Sequence, residues 1–481
     1  MSIGLFSIAR SALLTHQRVL EVVSQNIANA ETPGYSRQEA IVTASAPALM
    51  PYGMMGTGVQ ADNIIRKRDL LLDEQFRNVS GNAGSTDMRR DTLAGIQAVF
   101  GEPSDAGMSN ALDQFYNSWS DLASTPSSQS ARAVVQLRGQ HVAQMFNDFD
   151  SGLSLQRSSH LDRLSNTVAE VNSLALRVAA LNGQITSSEI GGHQAPDLRD
   201  QRDGMLDQLA TKAGTRVVPQ ANGSITVLIG NSTLVDGVTA LPLTLDIVIP
   251  NPAPTVPTPD LPVRIRLGNS VDRLAPLGGQ LRAMTDTINT DIPNLRSRLD
   301  TMASALVSTV NAAHTQGFVF NNNATPGTAA GNFFDPGTVS APVTAASIQL
   351  SAAVANDINQ IAASKDTLAP LDNQIANQMA QLRNNNTTVT YTGASGTETG
   401  GFLSFFRSTV TRLGLDVRSA SDDATVSDTL VDQANQRRLS VSGVNSDEEL
   451  IQMVRVQQAY VAATKLIKTA DEMLQAILAM V

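Results

Sequence analysis

The apolar residues at both ends of this chain recur in alternating steps of three and four. Leu5, Ile8, Ala12, Thr15, Val19, Val22 and Asn26 form one series; Met453, Val456, Tyr460, Ala463, Ile467, Ala470, Leu474, Ile477 and Val481 form the other. That alternation keeps side chains on one face of an α-helix and makes a heptad seam, the mark of a helix that pairs with another. The C-terminal series has no strongly polar interruption. The N-terminal one carries Thr15 and Asn26 where leucine would stabilise more, which fits either a helix that does not lock early or a seam partly open to water. Pro33 pushes Thr32 out of the helical region and Gly34 permits a turn, so the first helix stops there and extended chain follows. Ser446-Asp447-Glu448-Glu449 reads as a capping box that starts the last helix, set off by Gly443, with acids where the helix dipole favours them.

Between the ends, helical spacing runs near 64–99, 104–123, 128–189 and 196–213, punctuated by Pro126 and Pro196. From Thr215 the period changes, and Arg216–Val218, Ser224–Ile229 and Leu243–Ile249 read as strands separated by turn residues. Six prolines between Pro250 and Pro262 exclude helix and central strand, which leaves an exposed loop or tip. Helix returns over about 277–316, loop over 321–337, short mixed elements to about 395, and a last bundle helix over 402–442.

The predicted fold is mainly α with inserted β: coiled-coil-like terminal helices, a long-helix bundle and one or two outer β-rich domains. The division is 1–35 with 445–481 as a terminal helical domain; 36–214, 276–320 and 396–444 as the bundle; 215–275 as a β-rich insertion; and 321–395 as a second outer insertion or loop-rich segment. A lone amphipathic helix in water is marginal and exposes its seam. The terminal domain is therefore expected to be disordered in the monomer and to fold on assembly, with Leu5, Ile8, Ala12, Val19, Val22 and Asn26 and the whole C-terminal series covered by one another and by neighbouring copies.

Composition narrows the function. The chain has 481 residues, 42% hydrophobic, enough for several cores, and a net charge of −10 without a basic run that could follow a phosphate backbone. Nucleic acid is not an expected partner. Aromatic residues are only 4%, with one tryptophan, Trp119, and there is no cysteine, which excludes disulfides and thiol chemistry. No apolar run of 18 residues spans a bilayer. Arg10 interrupts the N-terminal apolar stretch and no small-residue cleavage site follows, so that segment is read as retained.

Catalytic patterns are missing too. There is no H-E-x-x-H, Walker-type phosphate loop, G-x-G-x-x-G or G-x-S-x-G, and His16, His141, His160, His193 and His314 are scattered. Asp197, Asp200, Asp203 and Asp207 share a helical spacing that could hold a cation, but the better reading is ion pairing on a bundle helix. No enzyme, metal or cofactor is expected.

The run from Asn26 to Arg37, with Asn26, Asn29, Thr32, Pro33, Gly34 and Tyr35, resembles the N-terminal signature of bacterial flagellar rod, hook and hook-associated proteins. The C-terminal run with Gly443, Asn445, Gln457, Gln458 and Tyr460 is similar to that family's C-terminal signature. Ser-Gly-Val-Asn at 442–445 and Gln-Gln-Ala-Tyr at 457–460 resemble the hook-associated branch, where hook and rod proteins more usually show Ser-Asn-Val and Gln-Arg-Ala-Tyr. Asp197–Asp203, and Val310–Gly317 followed by Gly331–Phe334, agree with that branch.

The resemblance implies a structural subunit at the junction of hook and filament, with terminal helices lining a hollow tube and β domains outside. It implies as partners further copies in a helical or ring layer, the hook protein, the next hook-associated protein, and an export chaperone masking the C-terminal helix. It also implies type III export to the cell exterior without a cleaved signal. A hook or rod axial protein is the alternative within the family. A secreted coiled-coil adhesin with a ligand-binding β domain is the alternative of another class.

Overall fold

A computed structural model describes residues 2–50, 53–102, 104–249, 260–268, 274, 278–320, 327–338, 341–369, 371–383, 388–393 and 396–479. Most of the expected Pro250–Pro262 loop, and Val481, lie outside the described residues. The chain opens with helix α1 (Ser2–Ala28) and strands β1 (Gln38–Ala44), β2 (Ala48–Met50), β3 (Gly53–Met55) and β4 (Val59–Arg66). Strands β1 and β4 pair antiparallel with a bulge at Ile41/Val42, and β2 pairs with β3 at the tip, so the extended chain after Gly34 is one long hairpin. The next helix therefore starts at Leu70 rather than near 64. Asp69 caps it by accepting from the Leu71 and Leu72 amides.

The long helices follow: α2 (Leu70–Phe100), α3 (Met108–Ser124), α4 (Gln129–Ser188) and α5 (Pro196–Ala213). With 60 residues, α4 extends about 90 Å. Strands β5 (Thr215–Pro219), β6 (Ile225–Ile229), β7 (Ser232–Asp236) and β8 (Thr239–Ala240) form a four-stranded antiparallel meander. Strand β9 (Leu243–Ile247) pairs with β10 (Val263–Leu267), a strand the sequence reading did not contain.

Helix α6 (Gly279–Asp286) and α7 (Ile292–His314) form one rod interrupted by a π turn, Thr287–Asp291. Pro293 follows that turn, and a residue without an N–H cannot continue the ladder there. Short elements β11 (Gly337–Thr338), β12 (Ala341–Pro342), α8 (Ala352–Asn356) and α9 (Gln374–Gln381) lead to the hairpin of β13 (Thr388–Gly393) and β14 (Gly396–Gly401). Helices α10 (Phe402–Ser442) and α11 (Ser446–Leu478) finish the chain.

Two apolar cores share α4. Its first half, Val135 to Leu153, joins α3, α7, α9, the start of α10 and residues of 327–391 such as Phe333, Phe334, Ile361 and Tyr391. Its second half, from Leu164, joins α5, α6 and strands β6, β7, β9 and β10. Where α4 passes between them, buried Arg296 pairs with Asp150 and Asp260 at 2.7 Å each. Neither core contains a described residue of 2–66 or 446–479. The chain ends form a separate packed unit, with α1 lying against α11 on one side and the β1/β4 hairpin on another.

Candidate functional site

The two ends meet at Asn26, in the last turn of α1. Its side-chain amide nitrogen donates to the Gln38 carbonyl at 2.9 Å and to Glu449 Oε2 at 3.0 Å. Its oxygen accepts from the Gln38 amide at 3.0 Å and the Tyr35 hydroxyl at 2.8 Å. All four bonds available to the side chain are made, and Asn26 is 1% exposed. Glu449, only 2% exposed, also receives Arg37 Nε at 2.8 Å, while Arg37 Nη1 reaches Glu448 at 3.2 Å. The Arg37 amide donates to the Ser442 carbonyl at 2.8 Å, which ties the hairpin to the turn between α10 and α11.

This corrects two sequence expectations. Asn26 and Thr15 are not weak seam residues: Thr15 is buried, and its hydroxyl donates to the Val59 carbonyl at 3.1 Å. Nor is 446–449 a reciprocal capping box. Asn445 accepts from the Asp447 and Glu448 amides, which frees the Glu449 carboxylate to cross to α1.

The remaining motif residues shape the same place. Asn29 Nδ2 donates to the Gln25 carbonyl, Thr32 Oγ1 donates to Asn29 Oδ1, and the Tyr35 amide donates to the Thr32 carbonyl. With Pro33 second and Gly34 third at φ 83°, residues 32–35 have the residue order of a type II turn. A Cβ on Gly443 would stand 2.5 Å from the Leu439 carbonyl oxygen, so glycine is what lets α10 end there. Gln457 and Gln458 face solvent.

The seam positions divide. Val22, Val456, Ala463 and Ala470 are buried; Ile8, Ala12, Val19, Met453, Ile467 and Leu474 are partly covered; Leu5 and Tyr460 are 37% and 40% exposed. Ile477 is helical. A second apolar face, which the sequence reading did not separate, lies open on α11: Leu450, Ile451, Val454 and Val461 are each about half exposed, and on α1 so are Phe6 and Leu14.

The unit is fastened to the bundle by charge. Ser36 donates through its amide and hydroxyl to Asp200 at 2.9 and 2.7 Å, and Gln38 Nε2 donates to Asp197 at 2.8 Å. Arg66 Nη1 bridges Asp200 at 2.6 Å and Asp203 at 2.8 Å. Arg68 grips Asp73, and Arg77 joins Asp203 to Asp207, which Arg438 also holds at 2.6 Å. The spacing of Asp197, Asp200, Asp203 and Asp207 thus serves ion pairing, and its partners Arg66 and Arg68 lie in a stretch that the sequence reading assigned to helix. Burial alone would raise the Asp203 carboxyl, but Arg68, Arg66 and Arg77 outweigh it and hold its pKa at about 2. Burial, then Asp197, Asp200 and Glu449, push the Tyr35 phenol well up, so it stays a donor.

His314 is a satisfied core histidine. Its Nδ1 lies 2.7 Å from the Gly331 carbonyl and its Nε2 accepts from the Ala362 amide at 3.0 Å, while burial lowers its pKa to about 4. Asn311 pairs with both backbone groups of Phe334 at 2.9 Å. Among the described residues no group of three or more His, Asp or Glu could hold a metal, and no helix is long and apolar enough to cross a membrane.

Comparison with known proteins matches the same regions. The flagellar hook-associated protein FlgK helical domain matches residues 93–334, half of the chain. The flagella basal body rod protein family matches 6–35, and the flagellar basal body rod FlgEFG protein C-terminal family matches 435–480. The chain is 29% identical to flagellar hook-associated protein 1 of Bacillus subtilis over 98% of this chain and 96% of that protein, and 24% identical to that of Salmonella typhimurium over 99% of each. The solved structure of the flagellar hook junction protein FlgK from Burkholderia pseudomallei superposes with a TM-score of 0.63 at 16% identity, covering 77% of this chain and all of that one, and so shares the fold. These matches lend nothing to the adhesin alternative. With its helical domain and both chain ends matched in this way, the chain belongs to the flagellar hook-associated protein family.

Proposed function

We propose that this structural flagellar subunit polymerises through its terminal unit and forms the junction between hook and filament. The observation that carries the proposal is the open apolar face of α11, Leu450, Ile451, Val454 and Val461, on a helix pair that shares no core with the bundle. Apolar surface of this kind on a two-helix unit is completed by neighbouring copies, through contacts that repeat around and along an axis. In this assignment the seam residues join α1 to α11 within a copy, and the open face joins copies. The named relatives support the place in the flagellum, and the Burkholderia pseudomallei protein is itself described as a hook junction protein.

The partners on this reading are further copies in a ring or helical layer, the hook protein below and the next hook-associated protein above. An export chaperone covers α11 until assembly, and the chain leaves the cell unfolded through the flagellar type III apparatus. The terminal unit of a free copy is only partly ordered, because its open apolar face waits for neighbours. The role is mechanical and needs no catalysis.

Isolated hooks provide the test. Purified full-length protein is expected to cap hook ends and to support filament growth beyond them, and the Val454→Glu/Val461→Glu variant to remain a folded monomer that does neither. Failure of the full-length protein to bind hooks overturns the reading. In backbone NMR of the monomer, sharp, poorly dispersed signals should come from 1–35 and 445–481.

A further inference from the structure

Asn26 lies in the last turn of α1 and Glu449 in the first turn of α11, and the two helices pack along one another, so the pair is antiparallel. Their hydrogen bond fixes one layer of the seam. Counting from it in opposite directions brings Val19 level with Val456 and Ala12 level with Ala463. Each layer joins a position of one three-four series to a position of the other, because both series step in the same order when read away from this bond.

We infer that Asn26 and Glu449 are the register key of the terminal helix pair and select its partner. This rests on the reading that the pair is the assembling unit. Sliding α11 by one heptad toward the end of α1 leaves every apolar layer apolar, so hydrophobic burial alone does not oppose the slip. It sets Asn26 against Val456 and carries Glu449 past the end of α1, however, leaving a buried amide without its carboxylate partner. Pairing α11 with α11 of another copy buries Glu449 without Asn26 in the same way. The polar layer excludes arrangements that the apolar layers allow, at a cost in stability relative to leucine.

The chain contains no cysteine, so engineered pairs report register directly. Ala12→Cys/Ala463→Cys probes the native register and Ala12→Cys/Ala470→Cys the slipped one. Both are oxidised in the full-length chain, as monomer and after polymerisation, and intramolecular products are separated from intermolecular ones by mass. In the wild-type background the native pair should close about ten-fold faster or more, the ratio that one unsatisfied buried hydrogen bond enforces. Glu449→Leu, which keeps the bonds of Asn26 to Gln38 and Tyr35, should bring the two rates together. Glu449→Gln, which keeps an acceptor for Asn26, should retain the preference. Equal rates in the wild-type background, no closure in either state, an undiminished preference in Glu449→Leu, or a preference lost in Glu449→Gln each overturn the inference. Polymerisation is read separately by electron microscopy, so a chain that holds register yet forms no polymer counts against the assembly reading alone.

Discussion

Arg66 Nη1 stands 2.6 Å from Asp200 Oδ1, and through this contact a hairpin at the start of the chain is fixed to a helix in the bundle. The same nitrogen is shared with Asp203, which Arg68 and Arg77 also approach, so three guanidinium groups converge on one carboxylate. Among the described residues neither apolar core reaches the joint, and its strength is that of ion pairs and hydrogen bonds.

Removing Asp203 should therefore be costly. Asp203→Ala leaves buried Arg66, Arg68 and Arg77 short of a counter-ion, and breaking such a set costs about 3–5 kcal/mol. Urea unfolding should show the loss, with the 38–66 hairpin becoming the first site of limited proteolysis. An unchanged midpoint would mean that the ion pairs do not hold the hairpin.

The low pKa of Asp203 gives the fold an acid limit. Its folded value of about 2 lies below the ordinary 3.8, so the carboxylate contributes stability above pH 3.8 that is lost as pH falls toward 2. The contribution is about 2 kcal/mol. Asp203→Asn should be less stable at neutral pH and should lack that part of the acid slope in thermal melts recorded between pH 4 and 2.

His314 acts over a different range. Burial lowers its pKa from 6.5 to about 4, so the folded state refuses a proton that the unfolded chain accepts. The associated stability is complete above pH 6.5 and declines as pH falls toward 4, by about 3 kcal/mol in all. His314→Ala should lose about 3 kcal/mol at neutral pH from the cavity and the orphaned Gly331 and Ala362 groups, and should flatten the slope between pH 6.5 and 4.

Gly214 closes α5 where the backbone of α6 passes. It has φ 64°, and a Cβ there would stand 2.6 Å from Gly278 Cα. Gly214→Ala should cost about 2–4 kcal/mol from the left-handed backbone and the overlap together. Denaturant unfolding checks this, and a neutral result would show that the two chain segments can separate without penalty.

Val454→Glu should behave in the opposite way from these core changes. Val454 is 51% exposed, and a surface substitution of this kind shifts monomer stability by about 0.5 kcal/mol or less. Polymerisation, followed by sedimentation, should nevertheless fail, since a carboxylate would be buried between copies.

The sequence by itself determined the long helices, the stop at Pro33 and Gly34, the break at Pro196, the β character after Thr215 and the two terminal seams. Each is a local matter: periodicity, a missing N–H or a tolerated positive φ acts within one or two turns of the residue that causes it. It also carried the two end motifs that mark the family. Only the tertiary structure decided that these motifs are one object. Asn26 and Glu449 are 423 residues apart, and a hydrogen bond across that distance leaves no trace in the spacing of either helix. For the same reason Asn26 looked like a poor seam residue, and the Asp197–Asp207 ladder had an evident role, while its partners Arg66, Arg68 and Arg77 lie far away in the chain and the interleaved Arg199 and Arg202 turn to Glu189 and Asn182. Strand β10 and the buried segment around Phe333 and Ile361 were equally hidden, because their apolar residues are set by the surfaces they meet rather than by a regular period of their own.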